Sequence, residues 1–286
     1  MSVEIICPLY NAASCILKLH QNLLAQKNVT IAKISYVVTE SSDNTEQILQ
    51  DNKIPYTLIQ AKDFSHSLTR ENIAMQSQSD ILVFITQDIE IANENWLANL
   101  VAPIINHEAV ACYSRQISKY NNIEKYTREK NYPPVSSIVS KDDVEELGLR
   151  TFFFSDASSA VKTDIFQALH GYDQKNLPIS EDMYLAYKII MAGHKIKYCA
   201  DSVVYHSHKF TLKQLYRRYY LTGMFMAQNA YLDQYRTVKA GSGLAKYVLR
   251  RALRQFNLPV LFRFVPDMMA RWLGMKNGKR TWGKSK

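Results

Sequence analysis

Glycine and proline are scarce in this chain of 286 residues, at nine and eight, and no segment is repetitive or low in complexity. With 47% hydrophobic residues, that scarcity excludes a disordered or fibrous protein and leaves a folded globular one. The length allows one large domain, or one domain with an appendage. No apolar stretch approaches the ~20 residues that a membrane span needs. The N-terminus opens on a strand-like run without a basic segment, so no signal peptide is read. The four cysteines, Cys7, Cys15, Cys112 and Cys199, are scattered and form no Cys-x-x-Cys pair, which makes a reducing cytosol the simplest setting. A glycine-rich phosphate loop, a Gly-x-Ser-x-Gly elbow and the dinucleotide glycine fingerprint are also missing, so NAD and P-loop chemistries lack support.

Acid is missing from one end. From Lys239 onward there are twelve Lys or Arg against the single carboxylate of Asp267, while the rest of the chain is close to neutral. The overall charge of +9 therefore belongs to the tail, as in a surface-binding appendage on an ordinary domain.

What the chain does have is an alternation of strand and helix patterns. Residues 3–8 form a short apolar run, and a helical pattern over about 12–26 puts Ile16, Leu19, Leu23 and Leu24 on one face. A second run at 34–38 leads into Thr39-Glu40-Ser41-Ser42-Asp43-Asn44 and a helix ending near Gln50. Residues 56–60 read as a third strand, and Ser65 or Ser67 can cap a helix to about Gln76. Residues 81–86 form a continuous run dominated by β-branched and aromatic residues, as in a strand buried on both faces. This alternation predicts an α/β fold with a parallel, doubly wound sheet, whose ligands bind beyond the carboxyl ends of the strands. Residues 8–11, 39–43 and 87–88 all fall at that edge.

Further on, residues 110–151 read as loop-rich and 152–154 as strand-like. Helices are predicted from Thr163 and from about Ser180 to Met191, the second closed by Gly193, and short strands at 196–199 and 203–205. Thr211-x-x-Gln214 is a capping box opening a long helix with Leu212, Leu215, Tyr216 and Tyr219 on one face. Residues 241–243 read as a hinge into the basic tail.

Four groups of residues could carry chemistry. Asp88 follows the buried run at 81–86, where a carboxylate suits a cleft or a cation such as Mg²⁺ or Mn²⁺, and equally a turn. His206 and His208 point the same way from an extended chain, either at one site or simply at a polar strand end. No Cys or third His offers structural-zinc spacing. Glu181 and Asp182 open a helix, where carboxylates stabilise the first turn and where one could act as a general base. His66 and Arg70 flank a helix start that could contact a phosphate or merely be solvated.

Taken in order, these segments resemble glycosyltransferase family 2 enzymes of the GT-A fold, and most closely the bacterial branch that uses dTDP-rhamnose to build O-antigens and rhamnose-rich wall polysaccharides. Ile5-Ile6-Cys7-Pro8-Leu9-Tyr10-Asn11 is similar to the family's first strand and nucleotide-binding loop. Glu40-Ser41-Ser42-Asp43-Asn44-Thr45 resembles its acidic base- and ribose-contacting loop, and Phe64-Ser65-His66-Ser67-Leu68-Thr69-Arg70 a segment of the rhamnosyl branch. Thr86-Gln87-Asp88 stands where most of the family has Asp-x-Asp, and Glu181-Asp182 matches the catalytic acidic pair. His206-Ser207-His208 matches the late histidine motif, and Tyr216-Arg217-Arg218-Tyr219 the post-catalytic helix. Two features depart from the pattern. Thr39-Glu40 replaces the usual Asp, leaving open whether Glu40 or Asp43 meets the nucleobase, and Ser65 and Ser67 replace the Asp and Gly common around His66.

The resemblance implies a catalytic domain over 1–210, with a nucleotide-binding half (1–109) and an acceptor half (110–210), and C-terminal helices over 211–286. It implies inversion by single displacement, with Asp182 as base beside Glu181 and with Mg²⁺ or Mn²⁺ held by Asp88 and His206. Pro8, Tyr10, Asn11, Glu40, Asp43, His66, Arg70 and Gln87 would bind the dTDP-sugar, with Asp156, His208 and Arg217 as acceptor-side or accessory candidates. The acceptor would be a lipid-linked saccharide, reached by a cytoplasmic enzyme peripheral to the inner face of the cell membrane. In the tail, Ala245, Val248, Leu249, Ala252 and Phe256, then Met268, Met269, Trp272 and Leu273 after a helix start at Pro266, are spaced for basic amphipathic helices. They suit an anionic membrane surface or packing on the domain or on a second subunit, as in a homodimer. A UDP-hexose donor, a non-catalytic nucleotide-sugar-binding module and a nucleic-acid binder are the competing readings. The last leaves the acidic groups unexplained, and no nucleic-acid motif is present.

Overall fold

The computed structural model describes residues 1–235 and 238–284, with side chains at 238–242 and 283–284 left aside. The chain begins with β1 (Ser2–Leu9), α1 (Ile16–Leu24), β2 (Thr30–Thr39), α2 (Thr45–Asp51), β3 (Tyr56–Ile59), α3 (Leu68–Ala74) and β4 (Ile81–Ile85). Next come β5 (Glu90–Ile91), α4 (Trp96–Ile105), β6 (Ala111–Ile117), α5 (Ile123–Asn131), β7 (Ser137–Val139) and the short α6 (Val144–Leu147). Then follow β8 (Ser158–Lys162), α7 (Thr163–Ala168), α8 (Glu181–Met191) and β9 (Ile196–Tyr205). Three long helices, α9 (Leu212–Gln228), α10 (Val238–Arg254) and α11 (Leu258–Lys284), complete the chain.

One sheet runs in the order β3-β2-β1-β4-β8-β6-β9-β5, with β7 beside β9. Strands β1 to β4 are parallel, as the alternation predicted. Strand β8 runs antiparallel between β4 and β6, and β6 is parallel to β9. Side chains alternate between the sheet's two faces. Ile5, Cys7, Val83 and Ile85 pack with α1 and α4, while Ile6, Leu82 and Phe84 pack with α7 and α8. Both faces are thus covered, which is why β4 reads as an unbroken apolar run. The ends of β1, β4, β6 and β9 and the start of β8 share one edge, since Ile85 pairs with Ser158 and Ile117 with Tyr205.

Some expectations change. Leu24 is exposed, because α1 turns only Ile16, Leu19 and Leu23 inward. The stretch 110–151 holds a central strand and a helix, and 152–154 is no strand but the last residue of a 3-10 turn and the irregular backbone after it, which put Phe152 and Phe154 into the core. The runs at 196–199 and 203–205 are one strand with an irregular register opposite Ser114 and Arg115. Helix α10 runs unbroken through 241–243, and Pro266 lies inside α11 rather than at its start.

The tail folds back on the rest of the chain. Val248, Ala252 and Val260 are buried against Ile123 and Tyr126 of α5, and Arg251 pairs with Glu129 at 3.1 Å. Helix α11 lies on α9 so closely that a Cβ on Gly274 or Gly278 would collide with the backbone oxygen of Tyr216 or Tyr220. Only glycine permits that approach.

Candidate active site

A cavity of 770 Å³ opens at the shared strand edge, within the range that holds a substrate-sized ligand. It gathers His66, Arg70, Gln87, Asp88, Asp156, Glu181, Asp182, His206, His208 and Arg217 from segments far apart in the chain. Pro8, Tyr10, Asn11, Glu40 and Asp43 stay outside its lining.

Asp88 sits in the turn after β4, while His206 and His208 follow directly on β9. Asp88 Oδ2 lies 3.5 Å from His206 Nε2 and 3.6 Å from His208 Nδ1, and one donor atom from each residue falls within 4.8 Å of the others. Burial acts to raise the Asp88 carboxyl, but the neighbouring His206 and His208 hold it well below the usual carboxylate range. Burial pushes both imidazoles down, His208 to about 4, so both are neutral near pH 7 and available as ligands. One carboxylate and two neutral imidazoles fit a divalent transition ion, Mn²⁺ better than the oxygen-preferring Mg²⁺. The family resemblance gives His208 an acceptor-side or accessory place, whereas the i, i+2 spacing allows both histidines one site; the structure brings His208 into the cluster with Asp88 and His206.

Behind the cluster stands Gln116, a residue that periodicity passed over. It is 1% exposed, and its Oε1 lies 2.9 Å from His206 Nδ1, accepts from Arg128 and leaves Nε2 to donate to Ser155 at 2.8 Å. A proton on His206 Nδ1 directed at that oxygen turns the Nε2 lone pair toward Asp88. Such partners typically change metal affinity about 10–100-fold. Gln116→Leu is therefore expected to weaken Mn²⁺ binding, read by calorimetry, by about that factor. Unchanged affinity would remove Gln116 from this role.

Glu181 and Asp182 open α8 behind Ser180, whose φ of 62° turns the chain sharply into the helix. Burial, followed by the negative charges of Glu181 and Asp156, raises the Asp182 carboxyl well above its ordinary value. A carboxylate made more basic in this way is suited to accept a proton. Arg70 is 2% exposed and meets Glu181 at 3.4 Å, so its guanidinium compensates the acidic cluster rather than standing free at a helix start. Asp156 is buried, accepts from Tyr172 at 2.6 Å and Ser159 at 2.9 Å, and is raised to about 6 chiefly by burial. His66 is exposed and packs edge-on against Phe64, while Ser65, rather than Ser67, accepts from the backbone of Leu68 at 3.2 Å.

The first-strand and acidic loops brace one another beside the cavity. Gln87 exchanges two hydrogen bonds with the Tyr10 backbone, at 2.7 and 2.8 Å. Asn11, at φ 48°, accepts from Ser42 at 2.8 Å, and Asp43 accepts from Ala13 at 3.0 Å. Glu40 accepts from Ala61 at 3.1 Å, and Pro8 lies within β1.

A family model described as "Glycosyl transferase family 2" matches residues 4–169. This chain belongs to glycosyl transferase family 2. It is 32% identical to the O-antigen chain rhamnosyltransferase RfbN of Salmonella typhimurium, over 98% of this chain and 90% of the relative. It is 30% identical to the O-antigen chain rhamnosyltransferase WbaN of Salmonella anatum, over 97% and 89%. Among solved structures it is similar to the mannosyltransferase PcManGT of Pyrobaculum calidifontis in complex with GDP-Man and Mn²⁺, with a TM-score of 0.63, 13% identity and coverage of 99% and 87%. It is also similar to S. aureus TarS 1–349 in complex with UDP-GlcNAc, with a TM-score of 0.56, 16% identity and coverage of 100% and 93%. At those identities the likeness is one of fold, the GT-A type, here with a helical C-terminal region. As a family 2 member the chain is a glycosyltransferase.

Proposed function

We propose that this glycosyltransferase moves L-rhamnose from dTDP-β-L-rhamnose to a hydroxyl of a lipid-linked saccharide, with inversion, at the cytoplasmic face of the cell membrane. The near full-length similarity to two O-antigen chain rhamnosyltransferases carries this reading. No described helix is long and apolar enough to cross a membrane, so attachment there would be peripheral.

In this reading Asp182 accepts the proton of the acceptor hydroxyl as that oxygen attacks the anomeric carbon. The bond from that carbon to the diphosphate breaks, and the diphosphate leaves with the electron pair. A divalent ion held by Asp88, His206 and His208 would supply positive charge at the leaving group. Arg70 keeps Glu181 paired, while burial and the charges of Glu181 and Asp156 raise Asp182 toward a useful basicity. The nucleoside would extend toward the Tyr10–Asn11 and Glu40–Asp43 loops, the first tied to the cavity by Gln87 and the second to the first by Asn11 and Ser42.

A donor-consumption screen tests the assignment. With Mn²⁺ present, dTDP-rhamnose is expected to be turned over at least about tenfold faster than UDP- or GDP-hexoses, the discrimination that ~1.4 kcal/mol provides. Preferential consumption of a UDP-hexose would overturn the rhamnose assignment and leave the transferase.

A further inference from the structure

Helix α11 has two apolar or close-packed sides, and only one has a partner. Its inner side carries Val260, Asp267, Gly274 and Gly278, all buried against the catalytic region and α9. Its other side carries Leu258, Phe262, Val265, Met269 and Trp272, spaced by four, three, four and three residues, which is one continuous face of a helix. All five are exposed, Phe262 at 81% and Trp272 at 60%, and no described element covers them. Phe256 in the α10–α11 turn extends the stripe, held 85% exposed on a backbone with φ 49°, a conformation that bulky residues rarely adopt. Scattered exposed hydrophobics are ordinary; a ridge of large ones along a single helix is not.

Charge decides what the ridge meets. Helices α10 and α11 contain one carboxylate, Asp267, which is buried and paired with Arg263 at 2.9 Å. Lys276 and Arg280, both exposed, continue the ridge's helical face at steps of four beyond Trp272, and α10 adds the exposed cations Lys246, Arg250 and Arg254. The Lys276 ammonium lies over the Trp272 ring, 4.6 Å from its centre. A second copy docked symmetrically would bring these cations against their own counterparts, with no acid on either helix to answer them. Anionic headgroups neutralise them while acyl chains cover the ridge.

We propose that the outer side of α11, from Leu258 to Trp272 and continued by Phe256, is a docking ridge for an anionic phospholipid bilayer. It differs from the face that helical periodicity picks out in α10, where Val248 and Ala252 are turned inward. The lipid-linked acceptor proposed above gives this ridge its purpose, but vesicle binding is read without donor or acceptor, so either proposal can fail while the other stands.

The test is co-sedimentation of the full chain with vesicles of phosphatidylcholine alone or mixed with phosphatidylglycerol. Binding is expected to be at least about tenfold greater on the anionic vesicles and to fall as salt is raised to about 0.5 M. The double variant Phe262→Ser/Trp272→Ser, at two exposed sites, is expected to lose at least about 90% of that binding while keeping wild-type donor turnover. Wild-type chain left in the supernatant with anionic vesicles, or a double variant that binds like wild type, overturns the proposal. So does a wild-type dimer that the double variant converts to monomer without any vesicle binding, which would assign the ridge to a second copy.

Discussion

Asp182→Asn is expected to lower transfer by about 10²–10⁴-fold, the usual contribution of a positioned base, while the donor still binds. The same variant is expected to melt higher than wild type at pH 8. Burial and the charges of Glu181 and Asp156 raise the folded-state pKa of Asp182 above its unfolded value. The folded protein then holds that proton more tightly than the unfolded chain. Stability falls as pH rises from about 4, the ordinary carboxylate value, to the folded pKa, and stays lower above it. Asparagine carries no such proton and can keep the hydrogen bond from the Met183 backbone, so the gap in melting temperature opens with rising pH and closes below about pH 4. Dead enzyme with higher stability is the signature of a strained catalytic carboxylate. Calorimetry across pH alongside a transfer assay reads both halves. Near-normal transfer by the variant would refute the base, and a melting temperature lowered at every pH would make Asp182 structural.

Removal of Asp88 is the second large effect. Asp88→Ala takes the sole carboxylate from a cluster whose other members are neutral imidazoles. Loss of one group that stabilises departing charge costs about 10²–10³ in rate. Chelation of wild-type enzyme with EDTA is expected to produce a similar loss, with Mn²⁺ restoring activity more fully than Mg²⁺ at equal concentration because two of the three donors are nitrogens. The alanine variant should not be rescued by either ion. Full activity in EDTA would show that the cluster holds no working metal.

These residues differ in how far the sequence alone could place them. Asp88, Glu181 and His206 lie beyond strand ends or at a helix start, positions that strand and helix patterns locate well, and the fold brings them to one cavity. Gln116 and Ser114 were invisible for a physical reason. They are buried polar residues at the centre and near the end of β6, and they break the apolar pattern that marks buried strands, so 110–151 read as loop-rich. Ser114 is tolerated there because it accepts from the Trp96 indole at 3.1 Å, and Gln116 because His206, Arg128 and Ser155 satisfy it. Partners that far along the chain cannot be read from spacing.

Arg70 shows a related limit. A helix start with a basic residue is compatible with phosphate binding, and only the fold reveals Glu181 of α8 against it. In the tail, periodicity identified amphipathic helices without telling which face the protein covers. Val248 and Ala252 turned out to pack on α5, while Phe262 and Val265, outside the expected stripe, stand exposed. Pro266 misled for a simpler reason: a residue well suited to begin a helix also persists inside one where its lost hydrogen bond faces solvent.

The most direct test of direct displacement at Asp182 is the configuration of the sugar that arrives. Single-turnover transfer from dTDP-β-L-rhamnose, followed by NMR of the anomeric centre in the product, is predicted to show an α-linkage only. A β-linked product would mean an even number of displacements, and would contradict an account in which Asp182 takes a proton and no residue of this chain is ever bonded to the sugar.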